Sequence, residues 1–226
     1  DRFDMDPESF VDAMRGCDMA FLCNPNNPTG RLVRREDMLS IVEGAIAQEC
    51  LLIVDEAFID FCPNHSVIPE VEGNPFLVVM RSLTKFYALS GLRLGYGVFP
   101  SQIVEKVLQA KEPWTVNTLA QRAGIAAIHD KAYAGRSRSL ISREKVFLER
   151  ELAKLGIEHL ASPANYYLLR HDRAPVLAAA LRGKGILVRD CSNFPGLDRS
   201  YLRVAVRSRR ENRRFIQELS GLCAES

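Results

Sequence analysis

The stretch MAFLCNPNNPTG, residues 19 to 30, joins an apolar run to a turn rich in Asn, Pro and Gly. The run from Met19 to Cys23 predicts a strand. Asn, Pro and Gly are the usual residues of tight turns, so residues 24 to 30 are compatible with a stiff turn. They are equally compatible with a preshaped loop that directs an Asn amide toward a ligand. The segment alone does not decide between these two interpretations.

Apolar runs and helical patterns alternate on the C-terminal side of this stretch. Residues 35 to 48 carry apolar side chains at helical spacing, and the run from Leu51 to Val54 predicts a buried strand. With residues 19 to 23 they predict a β-α-β unit. Two more apolar runs, Phe76 to Met80 and Leu94 to Val98, predict a third and a fourth strand. This alternation is typical of a mostly parallel α/β sheet.

The pattern changes after Ser101. The sequence predicts a helix that begins there and is stopped by Pro113. We therefore place a domain boundary near Glu112, which gives domains of residues 1–112 and 113–226. The second half predicts helices over 117–134, 137–155, 173–183 and 209–222, and strands over 157–160, 165–170, 185–189 and 201–206. Such a grouping of strands and helices predicts a smaller α+β domain.

Polar residues follow three of the predicted strands. They are Asn24 to Asn27, Asp55 with Glu56, and Arg81 to Lys85. Ligands of open parallel sheets bind outside the carboxyl ends of the strands, so these three ends are expected to form one crevice. Taken singly, Asp55 is also compatible with a helix cap and Lys85 with an ordinary surface lysine.

Composition and charge exclude several classes of protein. The 226 residues include 30 Lys and Arg and 28 Asp and Glu, which gives a net charge of +2. The sequence has no block of like charges of the kind that binds nucleic acid, so its charge argues against a nucleic-acid partner. The sequence has no run of about 18 apolar residues for a membrane span, and its acidic start is unlike a signal peptide, so we expect a cytoplasmic protein. The six cysteines are widely separated and lack zinc-site spacing, which predicts reduced thiols and no metal.

Four segments together resemble the signature of the fold-type I enzymes that depend on pyridoxal 5'-phosphate (PLP), the aspartate aminotransferase superfamily. The segments are Asn24–Gly30, Asp55–Phe58, Ser82–Lys85 and Gly91–Arg93. The resemblance implies an α/β fold that is the C-terminal part of a fold-type I PLP-dependent transferase. It would have a mostly parallel sheet with flanking helices and a smaller α+β domain.

The chemistry of PLP gives each segment a role. PLP needs a lysine to bond its aldehyde carbon, a carboxylate to keep its ring nitrogen protonated, and donors with positive charge for its phosphate. The resemblance assigns the first role to Lys85 as the catalytic residue and the second to Asp55. It implies that Ser82 and Arg93 bind the phosphate of PLP. It also implies that Asn27 hydrogen-bonds the phenolic oxygen O3' of PLP and contributes to substrate binding.

Within the superfamily, the chain is similar to the branch of histidinol-phosphate aminotransferases and threonine-phosphate decarboxylases. The segments that favour the decarboxylases are Arg81–Tyr87, Glu112–Asn117, Ala164–Tyr166, Ile186–Asp198 and Tyr201–Ser208. The resemblance implies a homodimer that decarboxylates L-threonine O-3-phosphate to (R)-1-amino-2-propanol O-2-phosphate in cobalamin biosynthesis. Two alternatives stay open, a histidinol-phosphate aminotransferase and a non-catalytic fragment that binds a partner.

Two arginines are the candidates for substrate binding. Arg203 matches the position at which the superfamily holds an anionic group, and Arg189 matches a second substrate arginine of the decarboxylases. Two guanidinium groups suit a small phosphorylated amino acid, because each pairs bidentately with a carboxylate or a phosphate. A surface ion pair is the alternative interpretation of each arginine.

The sequence departs from the family pattern in two respects. Many aminotransferases have Tyr at the position of Phe58, and the loss of that hydroxyl donor to O3' is compatible with a different fate for the substrate carbanion. Family members also extend much further on the N-terminal side, where they carry other parts of the cofactor and substrate site. We therefore expect this chain alone to be inactive or unstable, and the complete protein to be the enzyme.

Overall fold

The computed structural model describes residues 3 to 224, and their contacts divide the chain into two compact units. Unit 1 consists of the residues up to Asn27 and of Arg31–Ala134, and unit 2 consists of Pro28–Gly30 and the residues from Gly135 onward. The domain boundary expected near Glu112 stays a prediction.

Unit 1 contains a four-stranded sheet of the predicted kind. Its elements are α1 (Pro7–Ala13), β1 (Met19–Cys23), α2 (Arg35–Ala47), β2 (Leu51–Asp55), β3 (Leu77–Ser82), β4 (Gly95–Val98), α3 (Ser101–Ala110) and α4 (Thr118–His129). The strand order is β1-β2-β3-β4, with β1, β2 and β3 parallel and β4 antiparallel to β3. The mostly parallel α/β sheet is thus confirmed, and β1, β2 and β3 end at one edge of it.

Alternation along the strands builds the core of this unit. In β2, Leu52 and Val54 are fully buried, and they pack in one apolar cluster with Leu77 and Val79 of β3. The α2 helix covers that face of the sheet with its apolar residues, among them Met38. Burying such side chains stabilises the fold by roughly 1.5–3 kcal/mol each.

Unit 2 is built around an antiparallel sheet. Its elements are α5 (Lys131–Lys154, whose first residues belong to unit 1), β5 (Glu158–His159), β6 (Tyr166–Arg170), α6 (Ala174–Gly183), β7 (Arg189–Asp190), β8 (Tyr201–Ala205) and α7 (Arg209–Ala224). The strand order is β5-β6-β8-β7, and every neighbouring pair is antiparallel. Helices and an antiparallel sheet confirm the predicted α+β character of this part of the chain.

The strand predicted over residues 185–189 is wrong in its bounds. Gly185 has a φ of +74°, and the N–H of Ile186 donates to the carbonyl of Leu181 at 2.9 Å, so both residues belong to the turn that ends α6. Pairing with β8 starts only at Arg189. The apolar run that predicted the strand fills the core instead, since Ile186 and Val188 pack against the buried cluster of unit 2.

Leu148 provides a test of this core. The residue is 0% exposed on α5, whereas Val146 on the same helix is 64% exposed. We expect Leu148→Ala to lower the free energy of unfolding of the intact protein by about 2–5 kcal/mol, because it leaves a cavity. Val146→Ala should change it by no more than about 0.5 kcal/mol. Denaturant unfolding measures both, and equal effects of the two substitutions would contradict the assigned core.

The start of α7 carries a capping box. The Ser208 hydroxyl donates to Glu211 Oε2 at 2.6 Å, and the Glu211 N–H points back to the Ser208 hydroxyl at 3.5 Å. The other carboxylate oxygen of Glu211 accepts from the Arg207 guanidinium at 2.6 Å. The Ser208 hydroxyl and then the Arg207 guanidinium lower the pKa of Glu211 from 4.5 to about 2.

This lowered pKa has a predicted effect on stability. Because the folded-state pKa lies below the ordinary value, the contribution of Glu211 is fully present above pH 4.5 and is lost as the pH falls toward about 2. Glu211→Gln should therefore unfold more easily than the unchanged protein at neutral pH, and the difference should shrink in acid. Urea unfolding across that pH range measures it, and a pH-independent difference would contradict the assignment.

Within residues 3 to 224, no helix combines the length and the apolar composition that are needed to cross a membrane.

Candidate functional site

The loop after β1 is anchored by Asn24. This residue is 1% exposed, its Oδ1 accepts from the Val33 N–H at 2.9 Å, and its own N–H donates to the Asp55 carbonyl at 3.0 Å. The loop is thereby fixed to the end of β2. Asn27, three residues further along, is exposed.

Asp55 ends β2 with an exposed carboxylate. Its Oδ1 accepts from the N–H of Ala57 at 2.9 Å, which leaves the rest of the carboxylate open. Its charge also acts on Cys23, the last residue of β1. Burial first, and then the negative charge of Asp55, raise the pKa of the Cys23 thiol to about 11. The carboxylate therefore lies close to the ends of two neighbouring strands.

Lys85 follows the end of β3 on a short loop with a buried neighbour. The hydroxyls of Ser82 and Thr84 hydrogen-bond each other at 2.7 Å, and Lys85 next to them is exposed. Phe86 is 3% exposed, and its carbonyl accepts from the Tyr133 hydroxyl at 3.0 Å. The backbone next to Lys85 is thus fixed by a buried residue, while the Lys85 side chain is exposed.

The Lys85 side chain is directed toward the segment that follows β2. Its Nζ lies 5.8 Å from the centroid of the Phe58 ring, within the range of a cation–π contact. Phe58 itself is buried at 8% exposure. The lysine of one strand end and the residues after Asp55 at the next strand end therefore approach each other.

Arg93 lies beside the end of β3. It is exposed, it has a left-handed backbone with a φ of 54°, and its Nη1 donates to the Ser90 carbonyl at 2.9 Å. The neighbouring Leu94 carbonyl accepts from the Leu83 N–H at 3.1 Å. This backbone contact brings the arginine to the segment that carries the Ser82 and Thr84 hydroxyls.

A buried ionic cluster lies behind these residues and was not predicted from the sequence. Arg81 Nη1 pairs with Glu56 Oε2 at 3.1 Å, and Arg81 Nη2 pairs with Asp60 Oδ1 at 2.6 Å. Glu56 also accepts from the Ser66 hydroxyl and from the Val67 N–H, each at 2.7 Å. Burial raises the pKa of Glu56, and these hydrogen bonds and the arginine oppose the rise. An arginine at the end of an apolar strand was the one available sequence signal.

Unit 2 contains the two candidate substrate arginines. Arg189 of β7 and Arg203 of β8 are directly opposite each other. Residues in that relation share a face of the sheet, and like charges placed so destabilise it. Arg189 donates to Asn193 Oδ1 at 3.0 Å, and the Arg203 guanidinium lies 5.2 Å from the Tyr166 ring centroid. Burial raises the pKa of the Cys191 thiol, and the positive charges of Arg203 and Arg189 oppose that rise.

Gly30 ends the Asn-Pro-rich segment and belongs to unit 2. It has a φ of +74°, which favours glycine, and a Cβ there would overlap the side chain of Ser162. Any other residue at this position would strain the backbone and collide with that serine.

The side chains at the strand ends of unit 1 have the functional groups that are needed to bind PLP. They offer an exposed amine (Lys85), an exposed carboxylate (Asp55), two hydroxyls (Ser82 and Thr84) and a guanidinium (Arg93). These are the groups that an aldehyde, a protonated ring nitrogen and a phosphate require. Within residues 3 to 224, no group of His, Cys, Asp and Glu side chains is arranged to hold a metal ion. The individual roles of these residues stay predictions.

Comparison with known proteins identifies the family. The chain matches the model of aminotransferase class I and II over residues 1–219. It is 41% identical over 209 residues to a threonine-phosphate decarboxylase of Salmonella typhimurium, covering 91% of this chain and 57% of that protein. It is 37% identical over 217 residues to a histidinol-phosphate aminotransferase of Symbiobacterium thermophilum, covering 94% of this chain and 59% of that protein.

The fold comparison agrees with the sequence comparison. The crystal structure of the histidinol-phosphate aminotransferase from Clostridium acetobutylicum has a TM-score of 0.94 and 31% identity, with coverage of 98% of this chain and 69% of that one. The chain therefore spans 57% and 59% of the length of the two curated relatives. PLP is the cofactor of the family. The chain belongs to the class I and II aminotransferases, the fold-type I PLP-dependent enzymes, in the branch that contains histidinol-phosphate aminotransferases and threonine-phosphate decarboxylases.

Proposed function

We propose that the intact protein decarboxylates L-threonine O-3-phosphate to (R)-1-amino-2-propanol O-2-phosphate, as a homodimer and as a step of cobalamin biosynthesis. The observation that carries the proposal is the 41% identity to a threonine-phosphate decarboxylase, and the pair of arginines opposite each other on β7 and β8, Arg189 and Arg203, fits its substrate. Two like charges on one face cost stability unless anions bind there. The proposed substrate has two anionic groups, a carboxylate and a phosphate.

The residues at the strand ends of unit 1 would hold the cofactor. We assign Lys85 to the covalent attachment of PLP, Asp55 to its ring nitrogen, Asn27 to its phenolic oxygen, and Ser82 with Arg93 to its phosphate. Bound PLP supplies a ring that accepts the electron pair of a bond broken at the substrate Cα.

The proposed reaction exchanges one group at Cα. The bond between Cα and the carboxylate carbon breaks, CO2 leaves, and a proton takes its place on Cα. We assign delivery of that proton to Lys85 Nζ, since a lysine amine can hold and release a proton as a general acid. Arg189 and Arg203 would bind the two anions, so that the binding energy of the remote phosphate orients the bond that breaks.

A histidinol-phosphate aminotransferase is the second candidate, and the 37% identity to such an enzyme supports it. Its phosphorylated substrate carries a phosphate but no carboxylate, whereas its amino-group acceptor, 2-oxoglutarate, carries two carboxylates, so the two arginines fit that second substrate as well. The higher identity to a decarboxylase, 41% against 37%, favours decarboxylation.

Product analysis tests the proposal. The intact protein, loaded with PLP and given L-threonine O-3-phosphate without any 2-oxo acid, should release CO2 and the amino alcohol phosphate in equal amounts. L-Threonine should be a poor substrate because it lacks the second anion. Absence of CO2, together with amino transfer from histidinol phosphate to 2-oxoglutarate, would show the aminotransferase instead. Absence of both reactions would support a non-catalytic role.

A further inference from the structure

We infer that Arg81 is a positioning residue: its guanidinium joins the ends of β2 and β3 through Glu56 and Asp60 and so holds Asp55 and Lys85 in the places that PLP requires. The inference rests on the proposed attachment of PLP at Lys85. It extends that proposal to three residues that would not touch the cofactor or the substrate themselves.

The three residues are close in the chain to the residues that they would position. Glu56 directly follows Asp55 at the end of β2, and Arg81 directly precedes Ser82 within β3. The Glu56 N–H also donates to the Met80 carbonyl at 2.8 Å, so backbone and side chain join the two strands at the same level. A shift of Glu56 or Arg81 would therefore move the carboxylate or the lysine loop.

The segment from Asp55 to Asp60 contacts both Asp55 and Lys85. Within it, the Ala57 N–H donates to Asp55 Oδ1 at 2.9 Å, and the Phe58 ring lies 5.8 Å from Lys85 Nζ. Arg81 binds both ends of this segment, at Glu56 and at Asp60. The two contacts that orient Asp55 and Lys85 are therefore made by residues held between two ion pairs.

The geometry of the cluster requires an arginine. The side chain of Arg81 is 10% exposed and those of Glu56 and Asp60 are 1% and 12% exposed, so all three are removed from water. The carboxylates of Glu56 and Asp60 share one cation, and only a planar guanidinium with several N–H donors can bind both carboxylates at once. Buried ion pairs are often no more stabilising than apolar side chains of the same size, so stability alone is a weak explanation of this cluster.

Conservative variants of the intact protein test the inference, with PLP itself as the probe. Arg81→Lys keeps the positive charge and removes the guanidinium that binds two carboxylates at once. Glu56→Gln keeps the shape of the side chain and removes its negative charge. Both are expected to weaken PLP binding about 10-fold, by analogy with the loss of the partners that support metal ligands. Titration of the visible absorbance of bound PLP measures the affinity, and thermal unfolding of the apoprotein measures stability.

Two control variants separate positioning from stability. Glu144→Gln removes a carboxylate that is 5% exposed and paired with Arg209 in unit 2, and Glu70→Gln weakens the pair with Arg35 beside Ser66. Both should bind PLP as tightly as the unchanged protein, whatever their effect on unfolding. If Arg81→Lys does not fold, Asp60→Asn removes the second ion pair and should weaken PLP binding in the same direction.

The outcomes separate this inference from the proposed function. Unchanged PLP affinity in Arg81→Lys and Glu56→Gln would overturn the inference even if CO2 is released. Weakened affinity in these variants, in a protein that releases no CO2, would support the inference and remove the proposed reaction. An unchanged protein that takes up no PLP would overturn both.

Discussion

Replacing Lys85 with alanine is expected to abolish covalent attachment of PLP and to lower kcat/KM of the intact protein by at least about 100-fold. Lys85 is exposed at the end of β3, with its Nζ 5.8 Å from the Phe58 ring, and its backbone is fixed by the buried Phe86. Alanine leaves that backbone support in place and removes only the amine. The loss should therefore be chemical and should not come from unfolding.

A surface lysine provides the matched control. Lys154 pairs with Glu151 at 3.0 Å, and its side chain is 61% exposed. Lys154→Ala should keep both the visible absorbance of bound PLP and the activity. Thermal unfolding of both variants checks that each is folded. A Lys85→Ala protein in which PLP stays covalently bound after borohydride reduction and denaturation would assign the attachment to another lysine.

Replacing Asp55 with asparagine is the second change with a large expected effect. The substitution keeps the shape of the side chain and removes the charge that we assign to the ring nitrogen. We expect kcat/KM to fall about 100-fold or more, as when one preorganised charge or donor is removed from other active sites. Asp55→Glu keeps the charge at a changed distance and should lose less. Steady-state kinetics of the three proteins measures this order.

Cys23 reports independently on the same charge. Burial and then the charge of Asp55 raise the pKa of the Cys23 thiol to about 11. Removal of the charge favours the thiolate, so Asp55→Asn should lower that pKa, and alkylation of Cys23 should begin at a lower pH. Asp18→Asn, at an exposed carboxylate before β1, should leave both alkylation and kinetics unchanged. An unshifted alkylation profile in Asp55→Asn would contradict the assigned position of the carboxylate.

The sequence predicts the sheet of unit 1 well because each strand is a compact apolar run. The bounds of β1 match the prediction, and β2 and β3 extend by one or two residues into the polar segments that follow them. The short helix α1 was not predicted; Asp6 caps it by accepting from the Ser9 N–H at 3.0 Å. The strand predicted over 185–189 fails because a strand requires a paired neighbour, and apolar periodicity does not specify one.

The residues of the candidate site also differ in how well the sequence predicts them. Asn27, Asp55, Ser82, Lys85 and Arg93 are named from motifs that are local in the chain, and the structure places them at or next to the strand ends of unit 1. The pairing of Arg81 with Glu56 and Asp60 joins residues that are 25 and 21 positions apart, and no local pattern contains it. Likewise, the sequence names Arg189 and Arg203 separately, and only the register of β7 against β8 shows that they face each other.

Peptide mapping after borohydride reduction shows whether Lys85 binds PLP. The intact protein would be incubated with PLP, reduced, digested and analysed by mass spectrometry. We predict one modified peptide, with the added mass of reduced PLP on Lys85. An unmodified protein, or a modification confined to other lysines such as Lys145 or Lys154, would contradict the attachment of PLP at Lys85.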